Sequence, residues 1–218
     1  MLCNQSRASY LFMAIAMVAI IFFCEPAGAA ILLDKSPATT GATVITNALG
    51  NASTSQNFAE DFSFSSAASL TAMDIYMSPL LPVVGDSVTI RLYEDTSGIP
   101  GTLLTELIEE IAIIDSEGAV TGNVRVHADF TTPISLDAAK TYWIGMSGTS
   151  KDLDLTGLSG VDPTGTMAQF TGTTFGFFTG EVGADDMAFR LEGTLVPEPA
   201  TGLLLLVGIS FGFLRIFN

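Results

Sequence analysis

Val124-Arg125-Val126-His127-Ala128-Asp129-Phe130 alternates apolar and polar residues without a break. Successive side chains on a strand point to opposite faces, so this run predicts a strand with one face on a core. The same period recurs in Val88-Thr89-Ile90-Arg91-Leu92-Tyr93, in Met73-Asp74-Ile75-Tyr76-Met77 and in Phe189-Arg190-Leu191-Glu192. Phe58, Phe62 and Phe64 share a parity that Glu60 interrupts. The expected buried set is Val88, Ile90, Leu92, Val124, Val126, Phe130, Phe189 and Leu191. His127, set between Arg125 and Asp129, is expected to face solvent.

Turn residues punctuate these runs. Gly85-Asp86 precedes one strand, and Asp95-Thr96-Ser97-Gly98-Ile99-Pro100-Gly101 follows it. Gly118, Gly122, Pro133 and Gly148 mark later breaks, followed by a Gly-rich stretch from Gly157 to Gly183. Glycine supplies positive φ and proline presets φ, so each is a turn former with a mechanism. Many short strands between such turns predict an all-β sandwich. Leu103 to Ile114 also fits helical spacing through Leu104, Leu107, Ile108 and Ile111. Its strand-like flanks and β-branched end favour a strand. Ile31 to Gln56 is rich in Ser, Thr, Ala, Asn and Gly and reads as loop, with a first strand seeded at Val44-Ile45.

Both ends of the chain read as targeting segments. Arg7 precedes an apolar stretch from Tyr10 to Phe23, and Ala27-Gly28-Ala29 supplies the small residues of a cleavage site. Residues 1–29 are therefore expected to be a signal peptide that signal peptidase cuts after Ala29. At the other end, Pro197-Glu198-Pro199 precedes an uncharged run, Ala200 to Leu214, that closes on Arg215. The prolines break any regular element. At about 1.5 Å per residue the run makes a helix of about 22 Å, short against a bilayer core of about 30 Å. This layout resembles the PEP-CTERM sorting signal of bacteria, on Pro197, Glu198, Pro199 and Arg215, with Arg215 alone in place of a basic cluster. The resemblance implies export, retention by a C-terminal transmembrane helix over residues 197–218, and processing by an exosortase-type membrane enzyme. The location implied is the envelope membrane, then the cell surface or extracellular matrix. An ordinary C-terminal anchor is the alternative.

Residues 30–196 remain as one domain of ordinary size. Both cysteines, Cys3 and Cys24, fall in the predicted signal peptide, so the domain has no disulfide, thiol nucleophile or thiolate metal site. The chain carries 23 acidic and 8 basic residues, a net charge of −15. Setting aside Arg7 and Glu25 at one end and Glu198 and Arg215 at the other leaves that charge unchanged. Such a surface repels nucleic acid, whose binding requires Lys and Arg to displace counterions.

A further resemblance spans Asn57 to Thr194. Thr89 to Asp95 reads as a strand that leads to Gly98-Ile99-Pro100-Gly101, and Leu136-Asp137-Ala138-Ala139-Lys140-Thr141-Tyr142-Trp143 follows later. These passages resemble the choice-of-anchor R type ectodomain. The resemblance implies a jelly-roll-like β-sandwich of bacterial surface proteins with interchangeable anchors.

Catalytic residues are scarce. His127 is the one histidine, and no Gly-x-Ser-x-Gly elbow is present. Glu109-Glu110 would project to opposite faces of a strand, which makes them poor partners for glycoside hydrolysis. Asp152 and Asp154, with Asp162 beyond, offer oxygen ligands for Ca²⁺, but their spacing is not that of an EF-hand. No other cofactor is expected. Tyr142 and Trp143 are candidates for stacking on a sugar, with core burial the simpler reading for Trp143. The expected function is a non-catalytic cell-surface or matrix protein. The alternatives are a carbohydrate-binding module that meets exopolysaccharide, with or without Ca²⁺, and a glycoside hydrolase.

Overall fold

The computed structural model describes residues 28–37, 47–49, 56–77, 79–80, 82–119, 122–149, 153–155, 157–158, 167–171, 174–177 and 186–196. The sorting motif, Arg215, Ala27 and the Val44-Ile45 strand seed lie outside them. Ala29 is described and exposed, directly before the first strand.

The described strands are, in chain order, β1 Ala30–Lys35, β2 Asn47–Leu49, β3 Gln56–Ser63, β4 Ala68–Met77 and β5 Ser87–Asp95. Then come β6 Pro100–Glu110, β7 Ile113–Asp115, β8 Val124–Leu136, β9 Thr141–Gly148 and β10 Leu153–Leu155. The last are β11 Gly157–Leu158, β12 Ala168–Thr171, β13 Thr174–Phe177, β14 Asp186–Met187 and β15 Phe189–Leu195. Among the described residues there is no helix, and so none long and apolar enough to cross a membrane.

The described residues are all-β, built as two main antiparallel sheets with β11 and β14 paired as a separate two-stranded ribbon. In one, β1, β15, β4, β8 and β7 lie side by side, with β10 and β2 continuing from the end of β4. In the other the order is β13-β12-β3-β9-β5-β6. Val88, Ile90, Leu92, Ile144 and Phe58 of the second sheet meet Met73, Ile75, Val126, Phe189 and Leu191 of the first in one continuous core. Burying each such side chain contributes roughly 1.5–3 kcal/mol. A layered core of this kind holds the domain without a disulfide.

The alternation reading holds for Val88, Ile90, Leu92, Val126, Phe130, Phe189 and Leu191, all buried. Val124, at the first position of β8, is only partly buried. The ambiguous stretch is strand, as β6 and β7. Leu104 and Ile108 stay exposed because β6 lies at the edge of its sheet. The loop reading fails at Ala30–Lys35, an edge strand paired to β15, and at Asn47–Leu49, a strand paired to β10. Ala30-Ile31-Leu32-Leu33-Asp34-Lys35 does not alternate, so its pairing was hidden from periodicity.

Two irregularities shape the domain. Between the Leu70–Ile134 and Ala72–Asp129 pairs, Thr71 of β4 stands opposite the whole segment Phe130 to Pro133 of β8. β8 therefore arches away from β4 there. Register also slips between Glu192 and Gly193 of β15. A Cβ on Gly193 would collide with the Ser69 carbonyl, so this slip requires glycine.

Candidate functional site

Two places concentrate chemistry. The first is the outer face of the β15–β4–β8 sheet. Arg190 pairs across to Asp74, and Asp74 pairs across to His127. All three project away from the main core by strand parity, yet all three are buried. Nδ1 of His127 lies 2.6 Å from Oδ1 of Asp74. Nε of Arg190 donates to Oδ2 of Asp74 at 2.7 Å. Arg125, next in the row beside Tyr76, reaches Asp115 at 2.6 Å and Glu117 at 3.2 Å. Glu117 also accepts from Nη1 of Arg190 at 3.1 Å.

The expectation of a solvent-facing His127 is corrected here. β7 pairs with β8 directly alongside it, the Ala112 N–H bonds its carbonyl, and Glu117 lies over the same face. Oδ1 of Asp129 lies 3.3 Å from Nε2. Both ring nitrogens thus face carboxylates, which only accept hydrogen bonds. The Asp74 hydrogen bond, working against burial, raises the His127 pKa above its usual 6.5. Burial acts to raise the Asp74 carboxyl, but the His127 and Arg190 bonds outweigh it and hold it below 3.8. In its protonated form the ring donates on both sides, which ties β8 to β4 through Asp74.

Beside this row, burial pushes the Tyr76 phenol up to about 12. Its buried hydroxyl has Ser36 as a polar neighbour, and a Cβ on Gly118 would press against it. Asp74, His127 and Glu192 bring potential metal-ligand atoms within 4.8 Å of one another. The Arg190 and Arg125 guanidiniums already neutralise Asp74, at 2.7 and 3.5 Å. A cation would compete with two fixed positive charges there, so the group is an ion-pair network and not a metal centre.

The second place is a cleft of about 330 Å³ between the edge of β6 and the arched part of β8. Buried Leu92, Ile134 and Tyr142 and partly buried Leu107 line it, together with Thr105, Thr132 and Ser135. Glu94, Asp137 and Lys140 complete the lining, and Lys140 is paired to Asp137 at 2.5 Å. Glu109 braces the same gap. Its Oε1 accepts from both the N–H and the hydroxyl of Thr131 at 2.8 Å. That joins the edge of one sheet to the other through a buried carboxylate. Glu60 does similar work elsewhere in the core, accepting from the Met187 N–H at 2.9 Å and lying 3.5 Å from Lys35.

The structure separates the two candidate stacking residues. Tyr142 joins the main core beside Phe62 and reaches the cleft, with its hydroxyl accepting from the Asp137 N–H at 3.0 Å. Trp143 points to the opposite face of the sheet, buried with Tyr93, Ala59 and Ala168. Its Nε1–H donates to Asp95 at 2.9 Å. The two rings therefore do not form one platform, as neighbouring strand positions never do. Glu109 is buried against Thr131 and Glu110 is exposed, so they are not brought together either. Of the Ca²⁺ candidates, Asp154 lies in β10 opposite Ala48, while Asp152 and Asp162 lie outside the described residues.

No protein-family model matches this chain. No curated protein matches it either.

The outer-face network and the Glu109 brace were not anticipated from sequence. The available signal was the shared outward parity of Asp74, His127 and Arg190 on three separate strands. Parity gives a face, but only strand register brings the three into one row.

Proposed function

We propose that this chain is an exported, non-catalytic component of the cell surface or extracellular matrix. In this reading an exosortase-type enzyme acts at a C-terminal Pro-Glu-Pro signal, after a transmembrane helix has held the chain at the envelope. The observation that carries the reading is Pro197-Glu198-Pro199 followed by the uncharged run to Leu214 and Arg215. The Ala27-Gly28-Ala29 site, the lack of cysteine beyond Cys24 and the charge of −15 all suit a soluble exported domain. A jelly-roll-like, choice-of-anchor R type sandwich is the finer fold reading, and the two antiparallel sheets support it.

Mass spectrometry of the native envelope protein tests this. The expected N-terminus is Ala30, and the expected C-terminus lies near Pro199. An N-terminus at Met1 overturns export. A released form still carrying Ile216 and Phe217 overturns processing. The non-catalytic part predicts no turnover of polysaccharide, ester or peptide. Hydrolysis abolished by one acidic substitution in a folded chain overturns it.

A second reading is carbohydrate binding. The cleft between β6 and β8, whose lining mixes apolar and hydroxyl-bearing residues, favours it over the glycoside hydrolase alternative. Of the acids in its lining, Asp137 is paired to Lys140, while Glu109 is outside the lining and bonded to Thr131.

A further inference from the structure

We propose that the cleft between β6 and β8 is a binding site for a neutral saccharide, a site that rests on the carbohydrate-binding reading above. Three features of the cleft point to this class of ligand.

The lining holds both kinds of group that a pyranose presents, apolar and hydroxyl-bearing. Leu92, Leu107, Ile134 and the Tyr142 ring supply an apolar surface for the C–H face of a sugar. Thr105, Thr132, Ser135 and Glu94 supply donors and acceptors for its hydroxyls. A volume of about 330 Å³ is at the small end for ligand pockets, enough for a sugar unit or two. Leu104, Thr132, Pro133 and Ser135 on the walls are exposed, so a longer glycan could continue outward.

The charge selects against anions. Among the described residues Lys140 is the one cation of the lining, and Asp137 already pairs with it. Glu94 and the net charge of −15 oppose phosphate, uronate or nucleic acid.

The free edge of β8 is closed to a peptide strand. Thr131 spends its N–H on Glu109, and Pro133 has none to offer. An incoming strand would find no regular ladder of donors there. The Glu109 brace also fixes the gap before any ligand arrives, which lowers the ordering cost of binding.

The test uses the full-length chain in a zwitterionic detergent without a sugar headgroup. It is applied to an array of neutral and uronic-acid oligosaccharides. Titration then follows with the neutral oligosaccharide of strongest signal. The expected result is a neutral oligosaccharide that binds in preference to the uronic acids. Leu104→Arg and Thr132→Arg, on opposite walls, are each expected to weaken it at least tenfold. Ile31→Arg, on an exposed position of distant β1, is expected to leave it unchanged, and circular dichroism checks that all three fold. Neutral binding undiminished in both wall variants overturns the cleft while leaving the carbohydrate reading standing. Stronger binding of uronic acids overturns the neutral class. No binding of any neutral oligosaccharide overturns both the site and the reading.

Discussion

His127 and Asp74 share a hydrogen bond of 2.6 Å on the outer face of a sheet, both buried, with Arg190 on the far oxygen of the same carboxylate. Stability should follow the titration of this row. His127 has its pKa raised, so its contribution is complete below 6.5 and is lost as pH rises through the folded value. Asp74 has its pKa lowered, so its contribution is complete above 3.8 and is lost as pH falls through the folded value. The row is thus fully favourable between pH 3.8 and 6.5. Asp129, Arg125, Glu117 and Glu192 face the same groups and set how far each value moves. Melting temperature measured across pH should fall as pH rises above 6.5 for the wild type. His127→Asn should flatten that alkaline fall, and an unchanged slope in the variant would refute the assignment.

Asp74→Ala leaves a buried guanidinium and imidazole without their shared acceptor. Loss of one partner of a buried pair costs about 3–5 kcal/mol. Denaturant unfolding should show a loss of that order, or no folded protein at all. Asp137→Ala, which breaks an exposed and solvent-screened pair with Lys140, should leave stability close to that of the wild type.

Glu109→Ala removes the acceptor of two hydrogen bonds between the layers. The expected loss is about 2 kcal/mol, since the Thr131 N–H is then left without that partner. Glu110→Ala, one residue along and exposed, should stay within about 0.5 kcal/mol. Equal effects of the two substitutions would show that the brace carries no weight.

Gly145→Ala and Gly193→Ala should each destabilise by about 1–3 kcal/mol or more. An added Cβ would strike the Phe58 carbonyl in the first case and the Ser69 carbonyl in the second, and both obstacles are backbone. Gly85→Ala meets no atom, but its φ of 89° makes it strained as well, through conformation and not collision. Thermal melts of the three variants, with a crystal structure of Gly85→Ala, separate the two causes.

Periodicity in the sequence determined the element type and the core positions of the alternating strands, while the non-alternating β1 escaped it. Val88-Ile90-Leu92 and Val126-Phe130 reveal themselves because a strand's side-chain period is fixed at two whatever it packs against. The same rule showed that Asp74, His127 and Arg190 turn away from those core positions. Tertiary structure decided what that outward face became. Pairing of β7 beside β8 and the placement of Glu117 buried a face that periodicity alone would leave to water. Register then put Arg190, Asp74 and His127 in one row, because it depends on how separate strands slide past one another and not on the order within any strand. The cleft has the same origin. Tyr142 and Leu107 are ordinary core residues in the chain, and only the arch of β8 opposite Thr71 brings Thr132 and Ser135 into one cleft with them.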